Sequence, residues 1–481
     1  MSEFNKKHTN RVFEIFEELS KIPRGSGNME KIADFCVDFA KKNNLKFIRD
    51  DADNVIIFKN ASENCKNTKP IILQGHLDMV CQKTAESKHD FSVSGPELVI
   101  DGDFLTAVDT TLGADNGIAV AMIMTVLESK DLTHPAIEAV FTTDEEIGMI
   151  GATALDTSCL KGQTMINLDS EEDDTITVSC AGGSEFLIKV PTTRILLKGK
   201  TVNISITGLQ GGHSGIDINK GRVNANILAG RLLNHLYQSN KFNIVSINGG
   251  DKSNAITPSC EIVLCCEDFD ELLNEIKTYT DVLKIELFSR EPDLDVIYST
   301  IDINECEAFS NKLTEKIIFF LNSSPYGVVE MSAEINGLVE TSLNLGILNT
   351  NDKEILIDYS LRSNKVSSLK YLEEKLITYA KIFDGVYDIS GFYPPWEFNT
   401  NSEIQKFFTK CFKEFYGKMP KIEAIHAGLE CGVFSSKIKN LDCIAVGPSS
   451  FDVHTVNERL SISSTKKFFE LLLIVLSEIS K

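Results

Sequence analysis

The stretch Ile71-Ile72-Leu73-Gln74-Gly75-His76-Leu77-Asp78-Met79 constrains this chain more than any other. A short apolar run bounded by polar sequence fits a strand buried on both faces of a parallel sheet. In open α/β sheets, ligands collect at the carboxyl ends of the strands, which is where His76 and Asp78 stand. At strand spacing their side chains leave the backbone on the same side. An imidazole that binds a metal through one nitrogen needs its other N–H fixed, and a nearby carboxylate is a frequent partner. His-x-Asp is a weak signal alone, so the residues further along decide what it means.

Those residues supply more of the same chemistry. Behind Leu112-Gly113-Ala114-Asp115-Asn116-Gly117, the almost wholly apolar run 118–127 predicts a helix buried on most sides, with Asp115 at its N-terminus. A strand over 137–143 leads into Asp144-Glu145-Glu146-Ile147-Gly148, and a strand over 165–168 ends on Asp169. His454 follows Gly447-Pro448 late in the chain. Two histidines and several carboxylates, with no cysteine needed, suit Zn²⁺, Mn²⁺ or Co²⁺. More than four such groups, one of them an Asp short enough to bridge, point to two ions about 3.5–4 Å apart. Adjacent Glu145 and Glu146 point in different directions, so one can ligate while the other stays free as a general base. Taken alone, Asp115 also suits a plain helix cap.

Length bounds the architecture. At 481 residues the chain exceeds what one hydrophobic core usually supports, which predicts two or more domains. The opening reads as helices, with Val12, Ile15, Phe16, Leu19 and Ile22 on one face and a second helix over 28–42. Near residue 186 the pattern changes to α+β. Alternating strands at 201–207, 243–247, 260–266, 328–335 and 354–362 are separated by helices at 221–237, 267–289, 304–321 and 366–383. After Pro394-Pro395-Trp396 the α/β style returns, with a helix at 402–416, a strand at 443–446 and a helix at 464–479. The expected organisation is an α/β catalytic domain over 1–185 and 391–481, with an α+β domain over 186–390 inserted into it.

Other signals narrow the function by exclusion. A net charge of −21 argues against nucleic acid and anionic membranes as partners. No run approaches the roughly 18 apolar residues of a membrane span, and the first residues lack the apolar core of a signal peptide. A cytoplasmic location is expected. Twelve cysteines, none paired as Cys-x-x-Cys, read as reduced and mostly buried thiols. His8, His89, His134 and His235 read as surface or structural, while His426 fits either a structural or a functional role.

Five ordered stretches carry a resemblance: Gly75-His76-Leu77-Asp78-Met79-Val80, Leu112 to Gly117, Thr143-Asp144-Glu145-Glu146-Ile147-Gly148, Gly212-His213-Ser214-Gly215 and His426-Ala427-Gly428-Leu429-Glu430-Cys431-Gly432. Together they resemble the aminoacyl-histidine dipeptidases, carnosine-cleaving dinuclear metallopeptidases of the cytosol, along nearly the whole chain. The resemblance implies a zinc-peptidase-like α/β fold, with a mixed, mostly parallel sheet, helices on both faces and an inserted α+β lid that also makes a homodimer. It implies two divalent ions, Zn²⁺ first and Mn²⁺ or Co²⁺ as alternatives. His76 and Asp169 would hold one ion and Glu146 and His454 the other, with Asp115 bridging and the Asp115–Asn116 peptide bond cis. Asp78 would orient His76, and Glu145 would take a proton from the bridging water and pass it to the leaving amine. His213 of the lid would stabilise the oxyanion, Asn254 and Arg362 would hold the substrate carboxylate, and Glu430 would meet its α-amine. The implied reaction is hydrolysis of dipeptides with free ends, Xaa-His such as carnosine among them. A deacylase of N-acyl amino acids on the same scaffold is the alternative.

Overall fold

The computed structural model describes residues 3–267, 269–301 and 305–479. The chain divides into two compact units, one of Met1–Cys180, Trp396–Ala424 and Leu429–Lys481, the other of Ala181–Pro395 and Ile425–Gly428.

The first unit is organised by an eight-stranded sheet. Its order is Lys46–Arg49, Val55–Lys59, Ile137–Thr142, Ile71–His76, Thr164–Asn167, Asp442–Ala445, Thr175–Cys180 and Lys421–Ile425. The four strands from Ile137–Thr142 to Asp442–Ala445 run parallel, and antiparallel pairs flank them. Ile71–His76 and Ile137–Thr142 are buried at every position, as the unbroken apolar run at residue 71 requires. Because the central strands are parallel, the segments that follow them leave from one edge of the sheet. That single fact brings the chain after His76, the Asp144 to Glu146 turn, Asp169 and the approach to His454 to a common side.

Helices cover this sheet for the reason their spacing gives. In Glu3–Ser20, Val12, Ile15, Phe16 and Leu19 are almost wholly buried, and each such side chain contributes about 1.5–3 kcal/mol of burial. Ala114–Glu128 is buried on nearly all sides and packs on both Glu3–Ser20 and Ile71–His76. No helix among the described residues is long and apolar enough to cross a membrane. None of the twelve cysteines is joined in a disulfide, and ten of them are buried.

The second unit holds two principal sheets. One orders Asn243–Asn248, Cys260–Cys266, Lys200–Thr207 and Asp295–Ile301, and the other Gly327–Met331, Val339–Thr350, Glu354–Ser363, Gly182–Pro191 and Val386–Tyr393. A shared core joins them to Ala225–Tyr237, Phe269–Leu287, Asn311–Ser323 and Val366–Ile382. Three expectations need correction. The helix expected over 304–321 is a strand, Glu305–Phe309, followed by a helix, Asn311–Ser323; Asn304 lies outside the described residues. Here Cys306 and Ala308 alternate with Glu305 and Glu307, a strand pattern satisfied by pairing with Arg194–Lys198, and Ser310 caps the helix behind it. The helix expected from 221 starts at Ala225, because Asn224 accepts the amides of Asn226 and Ile227. The strand expected to reach 335 stops at Met331.

Candidate metal centre and substrate groups

In the first unit, two histidines face one aspartate from opposite sides. His76 Nε2 lies 3.0 Å from Asp115 Oδ1, and His454 Nε2 lies 3.1 Å from Asp115 Oδ2. His76 Nε2 is also 3.5 Å from Asp169 Oδ1, and His454 Nε2 is 2.9 Å from Glu146 Oε1. His76, Asp115 and Glu146 each offer an atom within 4.8 Å of the others. The geometry therefore gathers His76, Asp115, Glu146, Asp169 and His454, each carried by a different strand end or loop.

His76 and the backbone of both glutamates are fixed from behind. Asp78 Oδ1 lies 3.4 Å from His76 Nδ1 and accepts Glu145 N–H at 3.0 Å, while its Oδ2 accepts Ser26 Oγ–H at 2.8 Å and Glu146 N–H at 3.2 Å. Asp78 thus orients the histidine ring, its backbone O also lying 3.2 Å from Nδ1, and its carboxylate sets the backbone of both glutamates. Burial alone would raise the Asp78 carboxyl, but the hydrogen bond from His76 and the Glu145 amide hold it below the usual range. Asn116 Oδ1 accepts His76 N–H at 3.2 Å and its Nδ2 donates to Leu168 O at 2.9 Å, joining the strand ends that carry His76 and Asp169. The Asp115–Asn116 peptide bond is cis. Asp144 and His454 hold left-handed backbones, φ 52 and 63, a conformation that costs roughly 1–3 kcal/mol and persists only where the surroundings impose it. Gly27 N–H donates to Asp144 Oδ1 at 2.6 Å.

The donor set suits divalent cations. Burial pushes Glu145, Glu146 and Asp169 above their ordinary range, and neighbouring carboxylates add to the effect on each. Asp115 and Glu146 accept hydrogen bonds from His454 and push its pKa up to about 11. So many carboxylates facing imidazole nitrogens, whose protons a metal would replace, suit a hard oxygen and nitrogen site.

The second unit assembles a different set. His213 Nδ1 accepts the amides of Gly215 and Ile216 at 3.2 and 3.3 Å, which leaves the proton of the neutral ring on Nε2. That Nε2 lies 3.5 Å from Arg362 Nη2. Burial and the Arg362 charge lower the His213 pKa. Arg362 is only 7% exposed and donates through Nη1 to Tyr393 Oη at 2.9 Å. His213 pairs with Ala255 across a short ribbon, and Ser214 N–H donates to Asn254 O, so Asn254 sits beside them. His426 is buried, with Nε2 2.7 Å from Ser342 Oγ and Nδ1 3.5 Å from Asn364 Oδ1; burial, with Arg362 nearby, lowers it to about 3. It is held as a structural histidine.

Glu430 stands apart from its expected role. It is 0% exposed, and its Oε2 accepts hydrogen bonds from Thr142 Oγ1 at 2.7 Å and from Gln74 Nε2. In this structure the carboxylate is enclosed by Gln74 and Thr142. The sequence reading also passed over Arg24, Ser26, Asn116 and Glu458. Asn116 stood inside a quoted motif, but the others carry no spacing signal: the partners of Arg24 and Glu458 are backbone groups, and that of Ser26 is the Asp78 carboxylate, all brought near by the fold.

Residues 72–478 match the model of peptidase family M20/M25/M40. The chain is 34% identical over 483 residues to the cytosol non-specific dipeptidase of Escherichia coli (strain K12), across 100% of this chain and 99% of that protein. It superposes on aminoacylhistidine dipeptidase from Vibrio alginolyticus with a TM-score of 0.90 at 34% identity, covering 99% of each. A tripeptidase from Staphylococcus aureus shares the fold at a TM-score of 0.55 and 15% identity, covering 98% of each. A sheet edge that gathers histidines and carboxylates, on a scaffold matched from end to end, places this chain in peptidase family M20/M25/M40, and it is a hydrolase acting on peptide bonds.

Proposed function

We propose that this peptidase is a dinuclear metallodipeptidase that cleaves dipeptides with free amino and carboxyl ends, Xaa-His among them. The observation that carries the reading is the two-sided engagement of Asp115, one oxygen to His76 and the other to His454. The end-to-end likeness to a cytosol non-specific dipeptidase supports it. His76 and Asp169 would hold one ion, Glu146 and His454 the other, with Asp115 shared. When bound, the ions, Zn²⁺ first with Mn²⁺ or Co²⁺ as alternatives, would supply Lewis-acid polarisation of the scissile carbonyl and a lowered pKa for water.

The rest falls to the chain's own side chains. Glu145 takes a proton from water on a carboxylate oxygen and returns it to the leaving amine nitrogen. The burial that raises it suits a base working near neutrality. Asp78 keeps His76 Nε2 turned towards Asp115. His213 donates from Nε2 to the developing oxyanion, while Arg362 and Asn254 hold the substrate carboxylate, a task suited to the guanidinium fork. A longer peptide would present no carboxylate there, and a buried Arg362 left unpaired is costly. With this reading go a cytoplasmic enzyme and a homodimer through the second unit, which the mass in solution tests.

The deciding experiment offers β-alanyl-histidine, an α-dipeptide and an N-acetyl amino acid to one preparation, first apo and then reloaded with Zn²⁺ or Mn²⁺. Cleavage of the dipeptides only after reloading is expected. Cleavage of the acetylated substrate alone would make the enzyme a deacylase, and no cleavage after verified reloading would overturn the proposal.

A further inference from the structure

We propose that Arg24 and Glu458 are positioning residues of the metal centre, a buried cation and a buried anion that grip the loop 112–115 and set where Asp115 stands between its two histidines. The inference rests on the metal reading above. Both side chains are 2% exposed, so neither is open to substrate, and they act through the peptide groups of that loop.

Glu458 takes the amide side. Its Oε2 accepts Leu112 and Gly113 N–H at 2.8 and 2.9 Å, and its Oε1 accepts Ala114 and Asp115 N–H at 2.8 and 3.3 Å. Arg24 takes the carbonyl side. Its Nη2 donates to Gly113 O, and its Nη1 donates to Leu77 O at 3.0 Å and Asp78 O at 3.2 Å. A Cβ on Gly113 or Gly117 would collide with the Arg24 guanidinium, so the loop is moulded onto it.

The connectivity gives these contacts their meaning. Leu77 and Asp78 follow His76 directly, and Glu458 closes a turn with Thr455, next to His454. Arg24 therefore ties the Asp115 loop to the His76 segment, and Glu458 ties the same loop to the His454 segment. The Glu458 end is itself anchored: its carbonyl accepts Thr106 Oγ1–H at 2.9 Å, and Arg459–Ser461 pairs with Phe104–Ala107. Three segments that carry metal-type ligands are thus joined by two buried charges of opposite sign. Arg24 also precedes the stretch matched by the family model, which starts at residue 72.

A carboxylate that merely holds a loop supplies the control. Glu138, 4% exposed, accepts the amides of Lys161 at 2.9 Å and Gly162 at 2.9 Å; it stands opposite Ile72 at the start of its strand, the end away from His76 and Glu146. Wild type, Glu458→Gln, Arg24→Lys and Glu138→Gln are compared by equilibrium dialysis against Zn²⁺ and by the Tm of the apo proteins. The first two variants are expected to bind Zn²⁺ roughly 10–100-fold more weakly, as loss of a ligand's supporting partner does. Glu138→Gln should lower the apo Tm and leave zinc affinity within about twofold of wild type, inside the range for a site without a link to the ligands. Unchanged zinc affinity in both Glu458→Gln and Arg24→Lys, with a metal-binding wild type, would overturn this proposal alone. A wild type that binds no metal would overturn the metal reading and this proposal with it. If Glu458→Gln does not fold, Arg24→Lys decides, since it keeps the charge and loses the fork.

Discussion

The two units hold chemically opposite groups. At the sheet edge of the first, carboxylates crowd around His76 and His454, and burial raises Glu145, Glu146 and Asp169. In the second, His213 and Arg362 come together, and burial with the Arg362 charge lowers the histidine. One set is short of positive charge and the other of negative charge. The first is over-determined, since Asp78 alone holds His76, Ser26 and two backbone amides. In the second, Arg362 reaches His213 at 3.5 Å and donates to Tyr393 at 2.9 Å. If the proposed roles hold, activation of the peptide bond and recognition of a carboxylate are separate tasks, each built on its own electrostatics, so variants of the two units should fail in different ways.

The strongest test of that division is metal removal. Chelation should abolish hydrolysis completely, and reloading with Zn²⁺ or Mn²⁺ should restore it, because no side chain of the first unit replaces the lost cations; activity that survives verified removal would break the comparison at its root. Next is Glu145→Ala, for which kcat should fall roughly 10²–10⁴-fold, the usual contribution of a positioned base. Metal content by dialysis should not change, and loss of metal would mean that Glu145 is a ligand. His213→Ala should lower kcat by roughly 10²–10³-fold, as removal of one oxyanion donor does, again with metal content intact. Arg362→Ala should act on KM instead. Loss of charge-assisted hydrogen bonds worth about 1.5–3 kcal/mol predicts a rise of about 10–150-fold, and an unchanged KM would remove Arg362 from carboxylate binding.

How far these groups were legible in the sequence depends on what holds them. The ligand-type residues end strands or open helices, and the apolar runs at 71–73 and 118–127 fix those positions strongly enough that His76, Asp115, Glu146 and Asp169 could be placed before any coordinates. His213 and Arg362 needed the resemblance, because a histidine in a glycine-rich turn and an arginine on an alternating strand have no period of their own. Glu430 was assigned to the substrate amine through the resemblance alone, and only the packing of Gln74 and Thr142 against it reveals its burial. Arg24 and Glu458 were invisible for a related reason: both act on backbone amides and carbonyls, which every residue type possesses. The segment 305–309 shows the same limit locally, where charged residues at alternate positions fit an exposed helix face as well as a strand until Arg194–Lys198 arrives to pair with it.

The smallest effect concerns the protonation of His213, and it tests the second unit without touching the first. Its Nδ1 accepts two backbone amides, so the neutral ring carries its proton on Nε2, facing Arg362. Burial, then the Arg362 charge, favour that neutral form, and the pKa is lowered from 6.5. The sign follows: the ring stays neutral as pH falls through 6.5 and charges only below its lowered midpoint, so an Nε2–H donor is present across the neutral range. Histidine-selective ¹⁵N labelling, with the resonance assigned by its loss in His213→Gln, should give a midpoint below 6.5 and the Nε2–H tautomer above it. Arg362→Ala should move that midpoint upward by removing the neighbouring charge. A wild-type midpoint above 6.5 would mean that His213 acts as a cation beside Arg362. Activity should then decline as pH rises through that midpoint, and the oxyanion would be stabilised by charge rather than by a neutral donor.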